Sequence, residues 1–394
     1  MKSRFVSMSR MSLSGVALML AASAAGAAMA EPGLESLDFA FRFATAIKSD
    51  ARDRAKAQEL ALGEYAAAGA YDEAARRATQ IEGWRRGSLY ATMATELARA
   101  GRADEARGFI AKAEEVRQST SGWENPRISS QVAEALALLG DHEQSNRITA
   151  DLASNDPIQY SGRAAATDAV AAAVQGNFEQ GMEKLRALES NNDLDAAWGR
   201  TTGYLALAKH ADAPKASRLL ALDAARSSAD RLPIERRLDG LLQIAPAYAA
   251  LGRKGDAKQA ISEAAKLVSS NAKNPPEAIP GLIAVGRAWA ESGEPQKARK
   301  PLQDAEGLVS QALSIDQPGL IERIASAWRQ VPDSERARRL DLKAIDNAAA
   351  MRLSRPRAIA LSAICRQMGQ DGVVPDEALR LRLESLLAGL GEPW

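Results

Sequence analysis

The chain of 394 residues contains one cysteine and two histidines, and only 5% of its residues are aromatic. A single cysteine, Cys365, cannot form an internal disulfide, so the fold must be stabilised by packing alone, and we expect this thiol to be a core residue. Neither His142 nor His210 has neighbouring residues at the spacing of metal ligands. Phosphate-binding glycine loops, Walker motifs and nucleophile elbows are missing from the sequence. We therefore predict a protein without enzymatic activity, cofactor or metal.

After residue 30 the sequence has no apolar run long enough to cross a bilayer. The first thirty residues have the features of a secretory signal peptide. Lys2, Arg4 and Arg10 give a basic start, a small and apolar stretch follows, and Ala28-Met29-Ala30 is a small-x-small cleavage pattern. An uncleaved anchor is the alternative, but the stretch lacks the dense Leu, Ile and Val of a spanning helix. We predict cleavage after Ala30 and export of a bacterial protein to the periplasm.

The sequence also has no large excess of either acidic or basic residues. The predicted signal peptide carries three basic residues and no acidic ones, which leaves 48 basic against 50 acidic residues and a net charge of −2. A nearly balanced chain gives no electrostatic case for binding nucleic acid or anionic lipid. Its alternating charges are typical of solvated helix faces.

The chain does have a recurring pattern of small residues, in which alanine, two residues, glycine, four residues and alanine follow one another. Its clearest copies begin at Ala66 and Ala98. Units spaced by 32 to 41 residues are long enough for two helices and two turns, so the pattern predicts a stack of helical hairpins with almost no strand. The predicted turn residues are Gly69, Gly101, Gly140, Gly176, Ala211, Gly252, Gly293, Pro332 and Gly369.

The turn sequence Gly69-Ala70-Tyr71-Asp72-Glu73-Ala74 resembles the tetratricopeptide repeat (TPR) family, whose hairpin has a glycine turn followed by an aromatic residue and alanine. The similarity is divergent, because most intervals exceed the thirty-four residues usual in that family and two turns have lost the glycine. Longer units similar to HEAT repeats are the structural alternative. The resemblance implies an all-α solenoid of about nine hairpins.

One helical-repeat domain is predicted over residues 31–394. Within it we expect an N-terminal helix over 34–50, repeats over 51–372 and a capping helix over 375–392 that closes the exposed end of the stack. The degraded turns at Ala211 and Pro332 are the positions where we expect any irregularity of the array.

The TPR resemblance also implies a concave groove lined by the first helices of the hairpins. At the positions that face inward in that family, this chain has side chains of both charge signs. It lacks the Lys/Asn set with which some members of the family bind a peptide's C-terminal carboxylate. In this frame the groove residues are Lys56, Glu59, Arg99, Arg127, Glu134, Arg163, Lys209, Arg287, Glu291, Glu322, Arg329 and Arg366. The simpler interpretation is that each is a solvated or salt-bridging side chain.

We expect a non-catalytic scaffold or adaptor of the cell envelope that binds proteins or peptides. One alternative is a carbohydrate-active enzyme on an α/α toroid, using a carboxylate pair such as Glu114 and Glu115. A sugar cleft needs aromatic walls, whereas Trp84, Trp123 and Trp198 precede first helices and are expected to pack between hairpins. A structural component of an envelope assembly is the third interpretation.

Overall fold

The computed structural model describes residues 33–394 except 49, 156–168, 170, 173–176, 191–193, 211–212, 272–274 and 332. The fold is all-α, as the sequence predicts, and the part of the chain that the structure describes contains eighteen numbered helices and no strand. The predicted signal peptide, the groove residue Arg163 and the turn residues Gly176, Ala211 and Pro332 lie outside the described residues.

The helices are numbered in chain order. They are α1 (33–45), α2 (Ala51–Ala67), α3 (Tyr71–Ala78), α4 (Trp84–Arg99), α5 (Ala103–Gln118), α6 (Glu124–Leu138), α7 (His142–Asn155), α8 (Phe178–Ala187), α9 (Leu194–Lys209), α10 (Lys215–Ala229), α11 (Ile234–Ala250), α12 (Lys254–Asn271), α13 (Ile279–Glu291), α14 (Pro295–Leu308), α15 (Gln317–Arg329), α16 (Ser334–Ala349), α17 (Ser354–Gln370) and α18 (Glu377–Ala388). Short 3₁₀ turns occupy Leu188–Ser190, Pro275–Ala278 and Val309–Gln311.

Glycine ends the first helix of a hairpin through one repeated backbone motif. Gly69 has a φ of 81°, and the amide of the next residue, Ala70, donates to the carbonyl of Tyr65. The same positive φ and the same bond five residues back recur at Gly101, Gly140, Gly252 and Gly293. This geometry closes the last turn of a helix and requires a conformation that only glycine adopts without strain.

The predicted position of the ninth turn is wrong by three residues. The glycine with a positive φ is Gly372, and the bond that matches the other turns runs from the Val373 amide to the Met368 carbonyl. Gly369 instead lies inside α17, where a Cβ would be 2.5 Å from a methyl carbon of Leu37. Gly369 therefore takes the place of the small helical residue Ala66, and the requirement there is close packing of helices.

Consecutive first helices pack side by side. Contacts join α2 to α4 and α4 to α6, and they join α9, α11, α13, α15 and α17 in series. Each of these first helices except α17 also packs against the helix that follows it, and alanine dominates these buried faces. A glycine permits the closest approach in the seventh hairpin, where a Cβ on Gly286 would lie 2.6 Å from Leu302 Cδ2.

The two ends of the described chain meet. Helix α17 packs against α2, and Arg355 bonds Asp53 while Arg366 bonds Glu64 at 3.0 Å. Both pairs are 302 residues apart, so the two helices run parallel with a constant offset.

Helix α1 lies antiparallel to α17. The Ser36 hydroxyl donates to the Val373 carbonyl at 2.7 Å, and the Ser362 hydroxyl donates to the Ala40 carbonyl at 2.8 Å. Leu37, Ala40 and other apolar residues of α1 are buried at this contact. The N-terminal helix thus occupies, beside α17, the place that a second helix has in the other hairpins.

The expectation that the last helix closes an exposed end of the stack is corrected by these contacts. Helix α18, shorter than predicted, lies across α1 and α16: Arg42 bonds Glu384 at 2.6 Å, and Arg382 bonds Asp346. Leu383 is its one buried residue among those described. The end that α18 was expected to cover is already covered, because α1 and α2 pack on α17.

Close packing in the seventh hairpin is testable with glycine substitutions. Gly286→Ala places its new methyl group against Leu302, so we expect the free energy of unfolding to fall by about 1–3 kcal/mol. Gly63→Ala in α2 is the matched control, because no described atom outside the helix's own backbone lies within 4 Å of the new Cβ. We expect this variant's free energy of unfolding to rise by about 0.5–1 kcal/mol. Urea unfolding of both variants measures the difference, and equal shifts would contradict the packing claim.

Candidate binding cleft

The first helices α13, α15 and α17 border a cleft of about 840 Å³. The 3₁₀ turns before α13 and after α14 contribute Pro276 and Gln311 to its wall. Most of the lining is apolar, and Leu313, which is 72% exposed, belongs to it. The volume and the apolar lining are those of a binding site for a small molecule or for a few side chains of a partner.

Helical spacing directs several side chains of each helix into the cleft. Gly319, Leu320 and Arg323 fall on one face of α15, since residues three and four apart are neighbours on a helix. Ala363, Arg366 and Gln367 do the same on α17. The cleft is therefore built from the exposed stripes of neighbouring first helices, the surface that the TPR resemblance implies for ligand binding.

Two arginines at the cleft differ in their partners. Arg366 is held by Glu64 of α2 at 3.0 Å. Arg323 makes no ion pair or hydrogen bond with any described residue. Surrounding protein atoms, together with the nearby positive charge of Arg287 on α13, lower the pKa of Arg323. The Arg323 guanidinium is thus a cation without a counter-ion in the described part of the chain.

A buried charge cluster lies behind the cleft wall. Arg329 is 3.3 Å from Glu322 and bonds both Asp341 of α16 and Asp371 at the end of α17. One guanidinium thus interacts with three carboxyl groups and connects three helices. Removing one partner of such a buried set leaves charges uncompensated, which costs about 3–5 kcal/mol.

Protonation of Glu322 relieves the charge imbalance in this cluster. Burial and the neighbouring charge of Asp341 raise the pKa of Glu322 well above its ordinary value. Burial also raises the pKa of Asp341, although Arg329 opposes it. For Arg329, burial works against the charge, but the surrounding carboxylates outweigh it and raise its pKa. With Glu322 neutral, Arg329 and the two aspartates carry a net charge of −1, against −2 if all three carboxyl groups were ionised.

The structure distributes the predicted groove residues among several roles. Of the eleven that the structure describes, only Glu322 and Arg366 line the cleft, and Arg287 lies beside it. Lys56, Arg127, Lys209 and Glu291 are exposed elsewhere on the first helices. Ion pairs between or within hairpins involve Glu59, Arg99, Glu134, Glu322, Arg329 and Arg366. Each of these six side chains therefore has an ionic partner within the protein.

Sequence reasoning missed Arg323, which is the unpaired cation of the cleft. It lies nine residues before the Pro332 turn, a position not among those transferred from the family. A usable signal was present, because Arg323 and Leu320 fall on the exposed stripe of α15 that Gly319 begins. The misplaced ninth turn also shifted the groove positions assigned in the last unit. Counted from Gly372, Arg366 has the same position as Arg287 counted from Gly293.

Of the three tryptophans expected to precede first helices, only Trp123 does so, because Trp84 is the first residue of α4 and Trp198 lies inside α9. Trp84 and Trp123 pack between hairpins. Trp84 contacts Trp123 edge to face with ring centroids 5.4 Å apart, and Arg127 lies over the Trp84 ring at 5.1 Å. Trp123 remains 67% exposed. Cys365 is fully buried, and burial raises its pKa, so the prediction of a core thiol is confirmed.

Metal-binding clusters and membrane-spanning helices do not occur among the described residues. No group of three or more His, Cys, Asp or Glu side chains there is arranged to hold a metal ion. None of the described helices combines the length and apolar character that a membrane span requires.

Comparison with known proteins gives no family. No model of a known protein family matches the chain, and no curated protein matches it either. Any account of function therefore depends on the geometry of this molecule.

The raised pKa of Glu322 predicts the direction in which the stability of the protein changes with pH. The folded state holds this proton above pH 4.5, where the unfolded chain releases it, so the contribution of Glu322 to stability is lost as the pH rises. Glu322→Gln keeps a neutral side chain at every pH. We expect the free energy of unfolding of the variant, relative to that of the wild type, to increase between pH 5 and pH 8, which means that the variant gains relative stability.

Chemical unfolding at several pH values measures this effect. Glu335→Gln is the control, because the Glu335 side chain is 85% exposed, and its difference from the wild type should not change with pH. A Glu322→Gln difference that is independent of pH would show that the buried carboxyl is ionised throughout.

Proposed function

We propose that this protein is an exported bacterial scaffold or adaptor that binds segments of other proteins, without catalysis, on the surface of its first helices. In this proposal the signal peptide ends at Ala30 and the mature chain acts in the periplasm. Its TPR-like hairpins supply a rigid surface, because each packs on its neighbours and many inter-hairpin ion pairs fix their spacing.

The arrangement that we propose is a stack of about nine hairpins whose last unit joins the first. Helix α1 serves as the second helix of the ninth hairpin and α2 follows as the next first helix. The contact between α17 and α2 supports this closure, as do the hydrogen bonds of Ser36 and Ser362 across the α1–α17 pair. A stack joined in this way presents its first helices on the inner side.

The cleft between α13, α15 and α17 is the observation that carries the binding proposal. It combines exposed apolar side chains with a cation that has no counter-ion among the described residues. An exposed apolar surface rimmed by polar groups marks an interaction site in a protein. The ligand that fits has apolar side chains for Leu313 and Leu320 and a negative group for Arg323.

A carbohydrate-active enzyme is the second candidate, favoured by one observation. The chain ends meet, as they do in a toroid, and carboxyl groups lie at the cleft. Glycoside hydrolysis, however, needs two carboxyl groups that flank a substrate and exchange protons with it. Glu322, the buried carboxyl of the cleft lining, faces Arg329 at 3.3 Å, and the lining includes no aromatic residue among those described. The chemistry therefore favours binding.

A photo-crosslinking experiment tests the binding proposal. A benzophenone amino acid is placed at Leu313 in the cleft or, as a matched control, at Leu381 on the outer helix α18, which is 61% exposed. We expect a discrete crosslinked partner from the native envelope fraction at position 313 only. An excess of unlabelled wild-type protein should prevent formation of this crosslink. An unlabelled competitor that carries both Arg287→Glu and Arg323→Glu should not prevent it.

The outcomes separate the candidate functions. A partner captured equally at both positions, or competed equally by the charge-reversed protein, would contradict a binding face at the cleft. A structural component of an assembly would instead give crosslinks chiefly from the outer position. Hydrolysis of envelope glycans by the purified mature chain, lost in Glu322→Gln, would favour the enzyme.

A further inference from the structure

We propose that the cleft between α13, α15 and α17 is a binding site for a carboxylate attached to an apolar group, with Arg323 as the main anion-binding residue and Arg287 as its support. This inference names the ligand chemistry of the binding face proposed above and depends on that proposal for its biological meaning. The test below uses purified protein and small probes, so it can fail or succeed independently of the search for a partner.

The two arginines are placed to meet one anion. Pro280, a lining residue, and Arg287 are seven residues apart on α13, two turns along the same face. Arg323 projects from the neighbouring helix α15, which contacts α13. The proximity of Arg287 is one of the two causes that lower the pKa of Arg323. Two like charges held together without a described counter-ion are stabilised when an anion binds between them.

The other charges of the cleft do not fill this role. Arg366 is already paired with Glu64, and the Glu322 carboxyl is directed to Arg329. Asp316 lies at the start of α15, seven residues before Arg323, which corresponds to about 10 Å along the helix axis. Glu277 lies in the 3₁₀ turn before α13. Neither of these acidic residues forms an ion pair with Arg323.

The lining around Arg323 selects for an apolar ligand body. Leu320 precedes Arg323 by one turn, Ile364 and Ala363 line the opposite wall, and Leu313 is exposed at the edge. Arginine forms paired hydrogen bonds with a carboxylate, whose two oxygens match the guanidinium fork. The carboxylate could come from an acidic side chain within an apolar polypeptide segment or from a small amphipathic acid, and the experiment distinguishes the two.

The primary test compares two fluorescent probes that differ by one charge. The anion 8-anilino-1-naphthalenesulfonate and its uncharged analogue N-phenyl-1-naphthylamine share the same apolar rings. We expect Arg323→Gln to weaken binding of the anionic probe by about tenfold, the effect of losing one charge-assisted hydrogen bond, and to leave the neutral probe unchanged. Arg287→Gln should give a smaller loss, and Arg323→Lys should retain part of the affinity.

Controls separate a local effect from unfolding. Arg352→Gln removes an exposed arginine outside the cleft and should change neither probe. Thermal unfolding of each variant checks the fold, and the neutral probe reports the integrity of the apolar walls. Unchanged affinity of Arg323→Gln for the anionic probe, or an equal loss for both probes, would overturn the proposal.

Displacement of the anionic probe identifies the source of the carboxylate. Decanoate represents the amphipathic acid, and the blocked peptide acetyl-Leu-Ala-Asp-Leu-Leu-amide, with its Asp→Asn version, represents a polypeptide segment. Displacement by the Asp peptide but not by the Asn peptide would support a polypeptide ligand, and displacement by decanoate alone would support a small acid. Displacement by neither would overturn the assignment of a carboxylate.

Discussion

The contact between α17 and the N-terminal helices is the interaction on which the rest of the structure depends. An isolated hairpin cannot bury both faces of its helices, so a stack of hairpins leaves apolar surface at each end unless something covers it. Here α1 and α2 cover the last first helix. Leu37, Phe39 and Phe43 on α1 are almost fully buried, and burial of each such side chain contributes about 1.5–3 kcal/mol. The chain needs no separate cap at either end, which leaves α18 to bind across α1 and α16.

The ion pairs between hairpins act together with this contact, because they also hold neighbouring units in place. Exposed pairs contribute little to stability singly, yet those that join neighbouring first helices, such as Arg99 with Glu134 and Arg366 with Glu64, fix the distance between hairpins. The buried Arg329 cluster does so within the last two units. Arg323, in contrast, has no ion pair with a described residue, and it lies at a cleft with apolar walls whose other arginine, Arg366, is paired. A paired charge indicates architecture, whereas an unpaired one in a cleft indicates a ligand.

Local patterns in the sequence predicted the local structure well. A glycine followed by a restarted helix predicts the turn geometry that Gly69 and Gly252 adopt, because only glycine takes the positive φ without strain. The pattern failed at the ninth unit, where Gly369 and Gly372 compete for the same role and only the partner helix decides between them. That partner is α1, more than 300 residues away in sequence, and no periodicity within a unit encodes such a contact. The same limit applies to the cleft, since the pairing of Arg366 and the freedom of Arg323 depend on which helices lie alongside.

The distance between the first and last units tests the central claim most directly. Spin labels at Lys56 on α2 and Ile359 on α17, in a protein with Cys365→Ser, would lie on exposed faces of the two helices. Because packed helix axes are about 8–10 Å apart, the contact predicts a narrow distribution of label distances below about 25 Å by double electron–electron resonance. An extended stack of nine first helices would separate the labels by up to roughly 70 Å over its eight steps. A population centred beyond about 40 Å would contradict the account.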